Sequence, residues 1–286
     1  MSDLDRLAAR RLDVEGVEFV FAPLGGTPGS DLIVVKSIDE VERYRRVLAH
    51  HTAPRMVELG IAYGGSVALL ATLAQPTRLV AIELATERQP VLDAFIESRG
   101  LDDRVHLHYG VDQADRHRLR EIMEIEFGGE QLDVVVDDAS HLYRETLVTF
   151  ETLFPLLRPG GDYIIEDWSC DHGIRTLLIE GLEDEASPYH HWAHEALKGR
   201  IPSRHDGQAA QTAIAVASIP GGEAELDSPL SLIALQLVLA AAEGRAGIAG
   251  VTVCPDWVRV ERNDVPLDRD QFDLRAIAPD HFRLLS

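Results

Sequence analysis

Between Arg55 and Asp167 short apolar runs alternate with amphipathic segments, and this alternation leaves few folds open to the chain. The runs RMVELG, RLVAIEL, RVHLHYG, QLDVVVDD and GDYIIEDW have strand length, and the segments between them have helical periodicity. Helices are expected in GGSVALLATLA, from roughly Glu87 to Arg99, in the polar stretch after Asp112, and from Tyr143 to Leu157. Strands alternating with helices in this way imply βαβ units and a parallel sheet. The three valines Val134 to Val136 read as a strand buried on both faces. Pro159-Gly160-Gly161 marks a turn before the fifth strand. After a helix from Ser231 to Ala242, VTVCPDWVRVER reads as strand, tight turn and strand. The expected fold is α/β and doubly wound, with a seven-stranded, mostly parallel sheet that ends in an antiparallel C-terminal edge pair.

Two regions depart from the alternation. Residues 1–54 form an N-terminal segment, with a loop at Gly25 to Gly29 and a helix around Ile38 to His50, expected to act as substrate lid or oligomer contact. The main domain is residues 55–286. It carries an irregular insertion at about 168–229, and so long an insertion in a compact domain usually binds substrate or forms a lid. The apolar runs VEFVFAPL and LIVVK need cover from the insertion or from a second chain, so a homo-oligomer, at least a dimer, is expected.

The formal charge of −21 repels phosphate backbones and argues against nucleic acid as substrate. The longest apolar run, Leu230 to Ala242, is too short to span a bilayer, and the N-terminus has no apolar leader core. Cys170 and Cys254 form no disulfide framework. A cytoplasmic protein without membrane insertion is expected.

The stretch VELGIAYGGSV stands where the first strand hands over to the first helix, the position at which doubly wound folds bind nucleotides. Its glycines Gly60, Gly64 and Gly65 do not fit the dinucleotide fingerprint, and the wider loop suits a ligand with a methionine-like chain. Glu83 ends the second strand, where an acid can accept from ribose hydroxyls, and Asp112 lies beyond the third, within reach of an adenine amino group. The combination E-x-G-x-x-x-G-x-S, with an acid after strand two and another after strand three, resembles the class I S-adenosylmethionine-dependent methyltransferases over about Arg55 to Asp167. That resemblance implies a Rossmann-like methyltransferase fold. It also implies S-adenosylmethionine held by Glu58, Gly60, Tyr63, Gly64, Ser66, Glu83, Asp112 and Asp137.

The sequence VVVDDASH poses the chemical question, because a buried strand delivers two carboxylates, a hydroxyl and an imidazole in succession. With class I strand order, Asp138, Glu166 and Asp167 converge at one carboxyl-terminal edge. Clustered carboxylates repel unless a proton or cation lies among them. An all-oxygen set favours Mg²⁺, with Mn²⁺ or Ca²⁺ as alternatives. D-x-x-H after strand four with E-D after strand five resembles the metal-dependent macrolide-sugar O-methyltransferases and the cephalosporin-hydroxylase-like family grouped with them. In the sugar enzymes those acids chelate the metal and the histidine is the general base, which assigns Asp138, Glu166 and Asp167 as ligands and His141 as base.

The expected activity is therefore Mg²⁺-dependent methyl transfer to a sugar hydroxyl of a glycosylated natural product, glycolipid, or methylated polysaccharide or oligosaccharide such as a mannoside. A catechol or phenol acceptor is the alternative, with a hydroxylase behind it, since iron oxygenases usually use two histidines and one carboxylate. His190 and His194 share a helix face, but no glutamate lies between them as in H-E-x-x-H, and pocket or surface roles are expected. Tyr143, Trp168, Tyr189 and Trp192 are candidates to stack on a sugar, and His172 and Arg175 are weaker pocket candidates.

Overall fold

The computed structural model describes residues 10–21, 31–169, 180–187, 190, 191, 194 and 229–277. The glycine loop at 25–29 and the candidates Cys170, His172, Arg175, Tyr189 and Trp192 lie outside them. The described elements run β1 (Arg10–Val14), β2 (Val17–Phe21), β3 (Ile33–Val34), α1 (Ile38–Leu48), β4 (Arg55–Leu59), α2 (Gly65–Ala74), β5 (Arg78–Glu83) and α3 (Pro90–Arg99). They continue with β6 (Val105–Tyr109), α4 (Arg116–Phe127), β7 (Leu132–Asp137), α5 (Tyr143–Leu153), β8 (Leu157–Glu166), α6 (Ser231–Ala242), β9 (Ile248–Val253), β10 (Trp257–Arg262) and α7 (Leu274–Ile277).

Seven strands form one sheet in the order β6-β5-β4-β7-β8-β10-β9. β4 to β8 are mutually parallel, and β10 pairs antiparallel with both β8 and β9. The doubly wound sheet with an antiparallel pair at its C-terminal edge is thus present, and β10 is the strand that runs against the rest. Strand order reverses between β4 and β7, so the loops leaving their carboxyl ends border the crevice where open α/β sheets bind ligands. Val134, Val135 and Val136 are fully buried because each face of the sheet is covered by its own apolar cluster.

Helix boundaries follow local chemistry. Pro90 occupies the first turn of α3, where its missing N–H costs nothing, so the helix starts three residues later than the expected Glu87. α5 stops at Leu153 rather than Leu157, because Pro155 cannot donate to a carbonyl one turn back, and the chain passes through a 3₁₀ turn into β8. Pro159-Gly160-Gly161 lies inside β8 as an outward excursion. Between the pairs Leu132↔Leu157 and Val134↔Asp162 the β8 side carries extra residues, and Gly160 has φ +72°. α1 begins with a capping box, Ser37 accepting from Glu40 N while the Glu40 carboxylate accepts from Ser37 N.

The N-terminal segment does not stand apart. β1 and β2 form an antiparallel hairpin with β3 parallel to β2, and Phe19, Phe21 and Val34 pack in one cluster with Tyr44 of α1 and with Leu69 and Leu70 of α2. Among the described residues of the two apolar runs, Val17, Phe19, Phe21, Leu32 and Val34 are thus covered by the same chain, while Val35 is 46% exposed. The fit is close: a Cβ on Gly65 would collide with the Ile33 carbonyl oxygen. No helix among the described residues is long and apolar enough to cross a membrane.

Candidate active site

The loop after β4 and the loop after β7 touch at the switch point. Asp138 N donates to Leu59 O at 2.9 Å, which draws the two loops together, and Gly60 N donates to Ile82 O of β5 at 2.8 Å. Gly60 has φ +95°, and any Cβ there would meet the Asp138 carbonyl. Gly64 has φ +82° and precedes α2, whose first turn carries no side-chain cap.

Glu58, next to last in β4, is fully buried. Its Oε1 accepts from Ser66 Oγ at 2.5 Å, and its Oε2 is buried without a partner among the described residues. Burial pushes the carboxyl up to about 7 despite the opposing influence of Lys36 and Ser66. Glu83 braces the loop after β4: Oε2 accepts from Ile61 N at 2.9 Å and Ala62 N at 3.0 Å, and Oε1 from Ala85 N at 2.9 Å. Tyr63 is half-buried beside them, and Asp112 is exposed with Oδ1 capping Ala114 N. Glu58, Gly60, Tyr63, Gly64, Ser66 and Glu83 therefore share one loop system. Asp137 points instead into the core, where its oxygens accept from Gln113 Nε2 at 3.1 Å and Tyr163 OH at 3.0 Å, and burial pushes it up to about 7.

Gln113 had no signal in the sequence. Besides Asp137 it bonds Thr149, and its Oε1 accepts from Ser140 N at 2.8 Å, so it pins the loop that carries Asp138 and His141.

At the carboxyl ends of β7 and β8, Asp138, His141 and Asp167 each present one donor atom within 4.8 Å of the others. His141 Nε2 lies 3.1 Å from Asp138 Oδ1, and Nδ1 lies 3.8 Å from Asp167 Oδ2. His141 and Asp167 both hold left-handed backbone, φ 55° and 50°, a conformation costing about 1–3 kcal/mol in a non-glycine residue and concentrated at functional sites. The His141 side chain is 14% exposed and that of Asp167 54%, so the group opens to solvent on one side.

Glu166 faces the other way. Its Oε2 lies 2.5 Å from Lys36 Nζ, and its Oε1 accepts from Tyr44 OH. Lys36 Nζ also lies 2.7 Å from Asp138 Oδ2, so the ammonium bridges Asp138 and Glu166. The structure thus gathers Asp138, Asp167 and His141 in one place and sets Glu166 behind them against Lys36. Burial acts to raise the Asp138 carboxyl, but Lys36 and His141 outweigh it and hold it well below the ordinary range. Burial and then the Asp138 charge push Glu166 up. For Lys36, burial acts downward, but Asp138 and Glu166 prevail and keep the ammonium protonated.

Of the remaining candidates, Tyr143 is buried with its hydroxyl on Gln236, and Trp168 donates to Cys254 O at 2.8 Å. The His190 and His194 rings lie 4.5 Å apart edge to face, outside the one three-donor group found among the described residues.

A family model described as a methyltransferase domain matches residues 57–168. The 8-demethyl-8-(2-methoxy-α-L-rhamnosyl)-tetracenomycin-C 3'-O-methyltransferase of Streptomyces olivaceus is 32% identical over 193 residues, covering 63% of this chain and 41% of that protein. The 8-demethyl-8-α-L-rhamnosyl tetracenomycin-C 2'-O-methyltransferase of the same organism is 31% identical over 113 residues, 34% of this chain and 29% of that protein. The chain spans less than half the length of these curated relatives. Among solved structures, the MycE methyltransferase of the mycinamycin biosynthetic pathway, in complex with Mg and SAH, aligns with a TM-score of 0.47 at 18% identity, covering 80% of this chain and 50% of that one.

Proposed function

Because residues 57–168 match a methyltransferase-domain family model, we infer that this protein is a class I S-adenosylmethionine-dependent methyltransferase that acts on a sugar hydroxyl of a glycosylated small molecule. The observation that carries the reading is the placement of Asp138, His141 and Asp167 beside the glycine loop, fixed by the contact of Gly60 with Asp138. The rhamnosyl O-methyltransferases among the relatives support a sugar acceptor.

The residues fit the cofactor. The partnerless buried oxygen of Glu58 offers an acceptor beside the glycine loop, and Glu83 holds that loop in shape while keeping one lone pair, on Oε1, for a ribose. Bound S-adenosylmethionine supplies an electrophilic sulfonium methyl.

The donor set at the sheet edge also fits a hard divalent cation. Asp138 and Asp167 offer carboxylate oxygens, and the group found among the described residues includes no cysteine, which suits Mg²⁺. Such an ion would lower the pKa of an acceptor hydroxyl. A neutral His141 that donates Nε2–H to Asp138 carries its lone pair on Nδ1, the nitrogen on the Asp167 side, and takes the hydroxyl proton there. Asp138 fixes that tautomer and stabilises the imidazolium that forms.

Methyl-labelled S-adenosylmethionine, offered with glycosides of aromatic polyketides and macrolides, free sugars and catechol, tests the reading. Label should enter a glycoside, stop on chelation and resume with Mg²⁺. Faster labelling of catechol than of every glycoside would overturn the sugar acceptor, and full turnover after exhaustive chelation would overturn the cation.

A further inference from the structure

Lys36 is the residue that the chemistry above leaves unexplained. It sits between β3 and the cap of α1, with 2% of its side chain exposed, and it reaches two strand ends at once. Its ammonium lies 2.7 Å from Asp138 Oδ2 and 2.5 Å from Glu166 Oε2. Glu40 and Glu58 add their fields to the same ammonium, and Tyr44 OH donates to the remaining oxygen of Glu166.

A cation that joined Asp138 and Glu166 would need the space this ammonium fills, since Mg²⁺ takes its oxygen ligands at about 2.0–2.1 Å. The three acids expected from the sequence to share one ion are thus divided. Glu166 has one oxygen on Lys36 and one on Tyr44, whereas Asp138 has Oδ2 on Lys36 and Oδ1 towards His141.

We propose that Lys36 is a built-in counter-cation that occupies the inner half of the acid cluster, confines a divalent ion to the outer oxygens of Asp138 and Asp167, and turns Asp138 Oδ1 towards His141. Glu166 is then a partner of Lys36 rather than a metal ligand. Lys36 is a positioning residue, and its role makes the N-terminal segment part of the site: the strand that Gly65 allows to dock beside α2 delivers the lysine. This inference rests on the metal reading above.

Mn²⁺ binding, followed by calorimetry and by the electron paramagnetic signal of the free ion, tests it without turnover. Wild type, Glu166→Gln, Asp167→Asn, Lys36→Met and the charge-balanced Lys36→Met/Glu166→Gln are compared, with melting curves for each. Asp167→Asn should weaken Mn²⁺, and Glu166→Gln should leave its affinity unchanged. Lys36→Met should tighten Mn²⁺ at least about tenfold, because the inner site gains a carboxylate ligand and loses a positive charge. The double variant should return to wild-type affinity. Should Lys36→Met fail to fold, the two Glu166 variants still decide the matter.

Equal weakening by Glu166→Gln and Asp167→Asn would make Glu166 a ligand and overturn the proposal, as would a folded Lys36→Met with unchanged affinity. In both cases the metal reading stands. Absence of Mn²⁺ binding from wild type and every variant would instead remove the metal reading and this inference with it.

Discussion

The carbonyl oxygen of Asp138 occupies the space into which a side chain on Gly60 would project. The cofactor loop and the acid loop are therefore one mechanical unit. Gly60→Ala should destabilise the protein by about 2–4 kcal/mol, combining left-handed strain with overpacking, and should weaken S-adenosylmethionine and Mn²⁺ together. Gly128 is the control: it has φ +57° but nothing near its Cβ position, so Gly128→Ala should cost about 1 kcal/mol and leave both ligands alone. Denaturant melts and calorimetry on the two variants give the comparison. Equal effects would mean that the Gly60 contact is not tight.

Glu83 carries a second prediction. Its carboxylate holds the N–H groups of Ile61, Ala62 and Ala85, and Ala62 sits at φ 44° under that restraint. Glu83→Ala should lower S-adenosylmethionine affinity at least about tenfold through the loop as well as the ribose. Wild-type affinity, or preferential binding of a nicotinamide dinucleotide, would contradict the assignment of this loop.

Strands β4 to β8 and the glycine loop were legible because their signals are local: a strand is written in consecutive apolar residues and a wide turn in its glycines. The D-x-x-H spacing likewise placed His141 beside Asp138. Which way each acid of the E-D pair turns was not legible. Consecutive residues at a strand end point to opposite sides, and their partners decide which side is the site. Glu166 meets Lys36 across 130 positions, and Asp138 meets it across 102. In LIVVK the lysine reads as the polar end of an apolar run, and nothing local announces a buried ammonium. Gln113 was silent for the same reason, since its three partners lie on β7, the loop after it and α5. The partners of Asp137 were silent too, since Tyr163 and Gln113 lie 26 and 24 positions away.

Glu58 gives the fold a pH dependence with a defined sign. Its folded carboxyl is raised to about 7 by burial, above the ordinary value of 4.5 that an unfolded chain shows. Between those values the folded state binds more protons than the unfolded one, so this group's contribution to stability falls as pH rises from about 4.5 to about 7. The full loss is about 3 kcal/mol. Glu58→Gln keeps an acceptor for Ser66 and cannot ionise, so its melting temperature should vary less between pH 5 and pH 8 than that of wild type. Parallel curves for the two proteins would show that Glu58 ionises without penalty.

His141 carries the most direct chemical prediction. It is held in left-handed backbone, with Nε2 at 3.1 Å from an Asp138 carboxylate that Lys36 keeps ionised, and it stands beside the carboxylates assigned to the cation. If it removes the hydroxyl proton, His141→Ala should keep cofactor and Mn²⁺ affinity close to wild type while single-turnover methyl transfer slows by ~10²–10⁴-fold, the usual loss for a general base. The wild-type rate should rise with pH as the imidazole loses its proton, and the variant should lose that rise. A phenolic acceptor ionises more readily than a sugar hydroxyl, so the variant's deficit should shrink on catechol. A variant that methylates its best glycoside at the wild-type rate would remove the base assignment, and with it the chemical reason for preferring a sugar hydroxyl.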